Sequence, residues 1–277
     1  KKICNKKPMI DKYINSFRKN SYLIKKTNNN KSLNYLQKEI YKFLISSKPK
    51  LKKKIKEQNY ISFFENLHKY VNYKELNEIR LSVINKINKD KSFADNYYAA
   101  CKEVLDSLVG NEVAMQKKIN LSIQTPKDKD SLLDMHSDIY AGESPFEVVA
   151  WTPLVNVEKS KSMFFTKPSV SKSINNLIRN SDKKTIKELY ESNKKKFFFL
   201  KINFGQVLIF SPLILHGNIV NKSKETRFSL NCRFKSLLSP YDVTVKSHRN
   251  IPNFYKPVSM KPMTKIGLNY IKKYSQD

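Results

Sequence analysis

Residues 116–124, QKKINLSIQ, mark the point where the chain changes its period. Ile119, Leu121 and Ile123 alternate with Lys118, Asn120, Ser122 and Gln124, which predicts a strand with one buried face. The stretch before it repeats differently. In 33-LNYLQKEIYKFL-44, apolar Leu33, Leu36, Ile40, Phe43 and Leu44 recur at helical spacing. Leu76, Ile79, Val83 and Ile87 do the same in 76-LNEIRLSVINKI-87. The segment 92-SFADNYYAACKEVLDSLVG-110 carries its own start and stop. Ser92 followed by Asp95 resembles a capping box, and Gly110 suits the residue just past a helix end. Phe93, Tyr97, Cys101, Val104 and Leu108 form its expected buried stripe.

Short strand-like runs follow the switch: 146-FEVVAWTPLV-155, 162-SMFFT-166, 197-FFFLKI-202, 206-QVLIFS-211 and 226-TRFSLNCRF-234. Between them, 172–180 and 182–192 read as helices. A helical front and a run of short strands predict an α+β fold, a β-sandwich or barrel core with a helical layer packed on it. Three segments are expected: a helical region over 1–110, a β core over 111–242 with a helical insert near 168–193, and a C-terminal extension over 243–277.

Composition narrows the function. Apolar residues at 40% and aromatics at 12% argue against intrinsic disorder. No apolar run approaches the ~20 residues of a membrane span. The basic N-terminus has no apolar stretch behind it, so no signal peptide is expected, and the missing initiating Met points to residues upstream. Cys4, Cys101 and Cys232 are far apart, with no C-x-x-C. That argues against a disulfide scaffold and a structural zinc site, and points to a reducing cytoplasm. The net charge of +29 invites a nucleic-acid reading, yet only six of the 53 basic residues are arginines. Phosphate and base recognition favours the arginine fork. The excess therefore reads first as a lysine-rich solvated surface.

Chemistry concentrates around two of the four histidines. In 134-DMHSDIYAGESPFE-147, His136 and Asp138 stand two apart, so an extended segment puts both on one face. His216 closes a strongly strand-like run, 205-GQVLIFSPLILHGNIVN-221. Two imidazoles and one carboxylate make the facial triad of non-haem Fe(II) oxygenases, with open positions left on the metal. Arg227 lies eleven residues beyond His216. Strand alternation puts Arg227, Ser229, Asn231 and Arg233 on one face, and Phe228, Leu230, Cys232 and Phe234 on the other. A face with two arginines and two small polar groups is unusual for a core strand and suits a carboxylate-binding pocket. His68 and His248 read as ordinary core, surface or loop residues.

In these residues the sequence resembles the Fe(II)/2-oxoglutarate-dependent dioxygenases. The stretches NLSIQTP, HSDIYAGESPFEVVAWTPLV, KSMFF and TRFSLNCRFKSLLSPY are similar to the 2-oxoglutarate oxygenases of bacterial carbohydrate gene clusters, which are related to an aminoglycoside-biosynthesis oxygenase. The resemblance covers roughly 112–242 and leaves the N-terminal helices unmatched. It implies a double-stranded β-helix, a jelly-roll or cupin-like core. It implies Fe(II) on His136, Asp138 and His216, and 2-oxoglutarate held through its distal carboxylate by Arg227, with Arg233 as the second candidate. Oxygen would be the co-substrate and succinate a product. With Asp138 as a carboxylate ligand, hydroxylation or a related oxidation is favoured over halogenation.

The substrate the resemblance implies is a sugar-derived small molecule. Gln124, Trp151 and Asn231 are its candidate contacts, the amides as hydrogen-bonding groups and the only Trp as a wall; taken singly, each residue type more often serves as a structural strand or core residue. Two alternatives stay open. One is a basic nucleic-acid or anionic-surface binder on an inactive β-barrel, with 48-KPKLKKKIKEQNY-60 as its best segment. The other is a cupin-like metal isomerase, against which Arg227 speaks.

Overall fold

The computed structural model describes residues 7–54, 59–180, 185–241 and 249–274. Cys4, His248 and residues 55–58 of the lysine-rich run lie outside them.

The front of the chain is helical: α1 (Lys7–Asn20), α2 (Asn30–Ser47), α3 (Tyr60–Glu65), α4 (Tyr73–Lys89) and α5 (Lys91–Leu108). The apolar stripes of α2, α4 and α5 are buried, including Leu36, Ile40, Val83, Ile87, Phe93 and Tyr97. The start of α5 differs from expectation. Its cap is Asp90, whose side chain accepts from Ser92 N; Ser92 already lies inside the helix. The reciprocal box occurs on α4 instead, between Asn72 and Glu75. Either carboxylate or amide cap satisfies an N–H that the helix leaves orphaned, so the local sequence alone did not choose between adjacent candidates. Gly110 ends the segment at φ +94, a conformation an L side chain rarely adopts.

The helical front also contains a strand that its sequence did not announce, β1 (Tyr22–Lys26). It pairs antiparallel with β7 (Gln206–Phe210) at one edge of a seven-stranded sheet. The others are β2 (Val113–Gln116), β3 (Asn120–Gln124), β4 (Glu147–Pro153), β9 (Arg227–Ser236) and β10 (Tyr255–Ser259). The order is β1-β7-β4-β9-β2-β10, with β3 also on β9. β9 is the spine: β4 lies on one side of it, and β2 and β3 share the other. The expected single strand 116–124 is thus two. Met115 pairs with Phe234 and Asn120 with Asn231, so four residues, 116–119, face only two on β9, and 117–119 bulge out of the sheet while Gln116 still pairs with Tyr255 of β10. Asn88 of α4 satisfies the bulge. Its amide donates to Ile119 O at 2.9 Å and accepts from Ile119 N at 2.7 Å.

A smaller sheet has the order β6-β5-β8, from β5 (Phe164–Phe165), β6 (Phe198–Phe199) and β8 (His216–Gly217). α6 (Pro168–Asn180) and α7 (Ile186–Asn193) fill the connection between β5 and β6, and α8 (Pro262–Tyr274) ends the chain. Every pairing in both sheets is antiparallel.

The alternation of β9 decides what faces what. Phe228 stacks on Phe64 at 4.7 Å, and Phe234 on Tyr97 at 6.2 Å, so the apolar face lies against α3 and α5. Burying one such ring contributes roughly 1.5–3 kcal/mol. The opposite face, with Arg227, Ser229, Asn231 and Arg233, is therefore turned away from the helices. Phe165 of the smaller sheet meets Phe210 of β7 edge-on at 5.3 Å, which ties the two sheets together.

Candidate metal centre

The two histidines meet because their backbones pair. His136 N donates to His216 O at 3.0 Å, and His216 N to His136 O at 2.9 Å. This antiparallel bridge brings the rings to 4.4 Å. The chain stays extended through Ser137 and then enters a short 3-10 turn at Asp138–Ala141. Asp138 Oδ1 comes to 3.6 Å from His136 Nε2. One ligand atom from each of the three residues lies within 4.8 Å of the other two, the one such cluster among the described residues.

The rings are also oriented for ligation. His136 Nδ1 sits 2.8 Å from Asp134 O, and His216 Nδ1 3.0 Å from Ile214 O. A carbonyl only accepts, so in each neutral ring Nδ1 carries the hydrogen and Nε2 keeps its lone pair for a metal. Burial pushes His216 down to about 4, so it is neutral at pH 7. His136 moves the other way: burial lowers it, and Asp138 and the Asp134 carbonyl more than reverse that. Burial also raises the Asp138 carboxyl, but His136, His216 and Arg233 together hold it well below the ordinary carboxylate range. Two imidazoles and an ionised carboxylate at this spacing fit a divalent first-row metal such as Fe(II).

The polar face of β9 runs away from this cluster. Register places Gln124 opposite Arg227, Ser122 opposite Ser229, Asn120 and Trp151 opposite Asn231. All therefore share one face. Arg227 is 3% exposed. Its Nη2 donates to Ser122 Oγ at 3.1 Å, while Nε and Nη1 have no partner. Burial lowers it to about 10. Gln124 Nε2 donates to Ile219 O at 2.9 Å, and its Oε1, Ser229 Oγ and Asn231 Oδ1 are buried without a partner. Buried orphans of this kind call for an occupant that can satisfy them. Asn231, Asn120 and Ser122 line a cavity of about 420 Å³, with Tyr73, Asn77 and Arg80 of α4 also on its wall. Gln124 and Trp151 are buried and do not line it.

Arg233 sits in a different setting. Its Nη2 is 3.1 Å from Asp138 Oδ2, and its Nε is 3.5 Å from Glu143 Oε2 and 3.0 Å from Glu147 Oε1. Arg249 pairs with Glu143, and Tyr255 donates to Glu147. The sequence reading passed over Glu143, Glu147, Arg249 and Tyr255. One signal was present: Asp138, Glu143 and Glu147 place three carboxylates in ten residues of a strongly basic chain. His68 shares a hydrogen bond with Thr226 Oγ1 at 2.9 Å, next to Arg227 in the chain, and is not a member of the metal cluster.

No protein-family model matches the chain, and no curated protein matches it in sequence. Solved structures do match. The non-heme monooxygenase ThoJ, as its nickel complex, superposes with a TM-score of 0.53 at 13% identity, over 95% of this chain and 96% of that one. Apo ThoJ gives 0.54 at 13% identity, over 95% of each chain. EctD from S. alaskensis, in its apo form, gives 0.56 at 14% identity, over 88% of this chain and 86% of that one. The chain has the fold of these proteins. At such identities the likeness concerns the fold, and the α+β architecture expected from the change of period agrees with it. Among the described residues no helix is long and apolar enough to cross a membrane.

Proposed function

We propose that the chain is an Fe(II)- and 2-oxoglutarate-dependent oxygenase on a double-stranded β-helix, oxidising a carbohydrate or carbohydrate-linked compound. The observation that carries this reading is Arg227. A guanidinium buried on the same face as a His-Asp-His cluster, with two N–H groups unpartnered, suits an anionic ligand that spans from metal to arginine. A cupin-like isomerase has no use for that fork.

In the proposed roles, His136, Asp138 and His216 hold Fe(II). Arg227 takes the distal carboxylate of 2-oxoglutarate through its free N–H groups, with Ser122 fixing the plane of the fork. Arg233 is less suited to that task, because three carboxylates already surround it. Bound together, iron and keto acid supply dioxygen activation coupled to decarboxylation of 2-oxoglutarate to succinate. The protein's part is to orient both and keep the site dry. Asn231, on the cavity wall, offers an oxygen that accepts from hydroxyl groups; the unpartnered oxygen of Gln124 and the Trp151 ring share that face of the sheet but lie outside the cavity. An apolar substrate would leave the Asn231 oxygen unpaired at roughly 1–3 kcal/mol. The free, buried Cys101 and Cys232 accord with a cytoplasmic setting.

The test has two stages. Anaerobic titration should show one Fe(II) or Co(II) per chain, lost in Asp138→Ala, and 2-oxoglutarate binding that depends on the metal. Succinate release is then measured across sugars, nucleotide-sugars, lipids and amino acids. Stimulation by lipids or amino acids alone would overturn the substrate class. Absence of metal-dependent 2-oxoglutarate binding would overturn the enzyme class.

A further inference from the structure

We propose that Arg233 is a positioning residue that fixes which oxygen of Asp138 faces the metal, held in place by Arg249 and Tyr255 of the C-terminal segment. This rests on the metal-centre reading and not on the identity of the substrate; only the 2-oxoglutarate control in its test rests also on the proposed role of Arg227.

The two oxygens of Asp138 have different neighbours. Oδ1 points to His136 Nε2 at 3.6 Å, the side on which a shared ion would sit. Oδ2 is 3.1 Å from Arg233 Nη2. With Oδ2 engaged, Asp138 ligates through Oδ1 alone. A planar guanidinium does this better than an ammonium, because its other edge can be anchored while Nη2 stays aimed. The anchor is ionic: Nε lies 3.0 Å from Glu147 Oε1 and 3.5 Å from Glu143 Oε2, close enough to pair but outside hydrogen-bonding geometry, and the side chain is 13% exposed.

Those two glutamates are held from the far end of the chain. Arg249 pairs with Glu143, and Tyr255 of β10 donates to Glu147 Oε2. Arg249 is itself fixed with its guanidinium 3.8 Å over the Phe254 ring. β10 is anchored by pairing with β2. The connection thus runs from a C-terminal edge strand, through Glu147 and Arg233, to the carboxylate ligand. Groups that orient a ligand in this way alter metal affinity without touching the metal. The assignment also separates the two arginines of β9: Arg227 waits for a ligand, while Arg233 serves one that the protein already has.

The experiment uses the full chain and Co(II) as the probe, read by its visible absorption. Arg233→Gln should weaken Co(II) binding by about 10–100-fold and change the spectrum, since Asp138 is then free to turn or chelate. Arg233→Lys, which keeps the charge, should recover part of the affinity but not the spectrum. In either variant saturated with Co(II), 2-oxoglutarate affinity should stay within about threefold of wild type, whereas Arg227→Lys loses it. Tyr255→Phe removes no charge and is the safeguard should Arg233→Gln fail to fold; a twofold or larger loss of Co(II) affinity is expected. Wild-type Co(II) affinity and spectrum in folded Arg233→Lys and Tyr255→Phe would overturn the proposal. So would a loss confined to 2-oxoglutarate. If the wild-type chain itself bound no Co(II), the metal-centre reading would fall, and that outcome is distinct from a variant with no effect.

Discussion

Replacing Arg227 by Met should make the ligand-free protein more stable while removing 2-oxoglutarate binding. Met has a similar length and no charge. Arg227 is buried, and only Nη2 is hydrogen-bonded. Burial, only partly offset by the charge of Asp128, moves its titration down to about 10, which corresponds to about 3 kcal/mol of net desolvation. Losing the Ser122 hydrogen bond returns about 1 kcal/mol of that. The expected net gain in ligand-free Arg227→Met is therefore about 1–3 kcal/mol. Adding metal and 2-oxoglutarate should reverse the order, since ligand at a hundredfold excess over its Kd stabilises wild type by about 2.7 kcal/mol and the variant by nothing. Urea unfolding of both proteins, with and without metal and keto acid, gives all four values. If ligand-free Arg227→Met were less stable than wild type by more than about 1 kcal/mol, the guanidinium would have a partner inside the protein. The argument for a waiting carboxylate would then be wrong.

Three further outcomes are expected. Because burial lowers His216 to about 4, the unfolded chain takes up a proton first as pH falls, so the metal-free protein should lose up to about 3 kcal/mol between pH 6.5 and 4. His216→Gln should flatten that slope in pH-dependent unfolding, and an unchanged slope would place the titration elsewhere. Gly217→Ala should destabilise by about 1–3 kcal/mol or more and weaken metal binding, because a Cβ there would meet Phe164 Cζ at 2.6 Å and Leu133 O at 2.8 Å, both beside the His136–His216 bridge. Thermal melts and Co(II) titration check it; a wild-type melt would show that the smaller sheet yields more easily than its packing implies. Burial pushes the Cys101 thiol up to about 12 and raises Cys232 as well, so both should resist thiol reagents at pH 8 until the protein unfolds, as read by peptide mapping.

The parts legible in the sequence were those whose period is sustained. α2, α4 and α5 repeat over three turns or more, and β9 alternates cleanly along its length, so their faces could be assigned from residue spacing. β1 and β10 could not. YLIKK and YKPVS are short, carry lysines, and in the second case a proline, which an edge strand tolerates. Their pairing is decided by partners far along the chain. The same contrast holds at the metal. His136, Asp138 and His216 were legible because ligand chemistry demands those residue types on one face. The division of labour between Arg227 and Arg233 was not, since both sit at equivalent positions of one strand. Only the carboxylates brought by β4 and the loop before it distinguish them.

The position of β9 has a consequence for synthesis on the ribosome. It is the strand on which β2, β3 and β4 all assemble, yet it is among the last to be made. Until it emerges, Phe64, Tyr97 and Tyr98 have no ring from Phe228 or Phe234 to cover them. The nascent helices therefore present aromatic surface while some two hundred residues wait for their spine, and the high sequence separation of the final pairings makes closure slow. β1 and β10 then seal opposite edges from opposite ends of the chain, so a truncated product at either terminus exposes a raw sheet edge. Overproduction of this protein is expected to depend on chaperone supply and low temperature during translation more than on the stability of the finished fold.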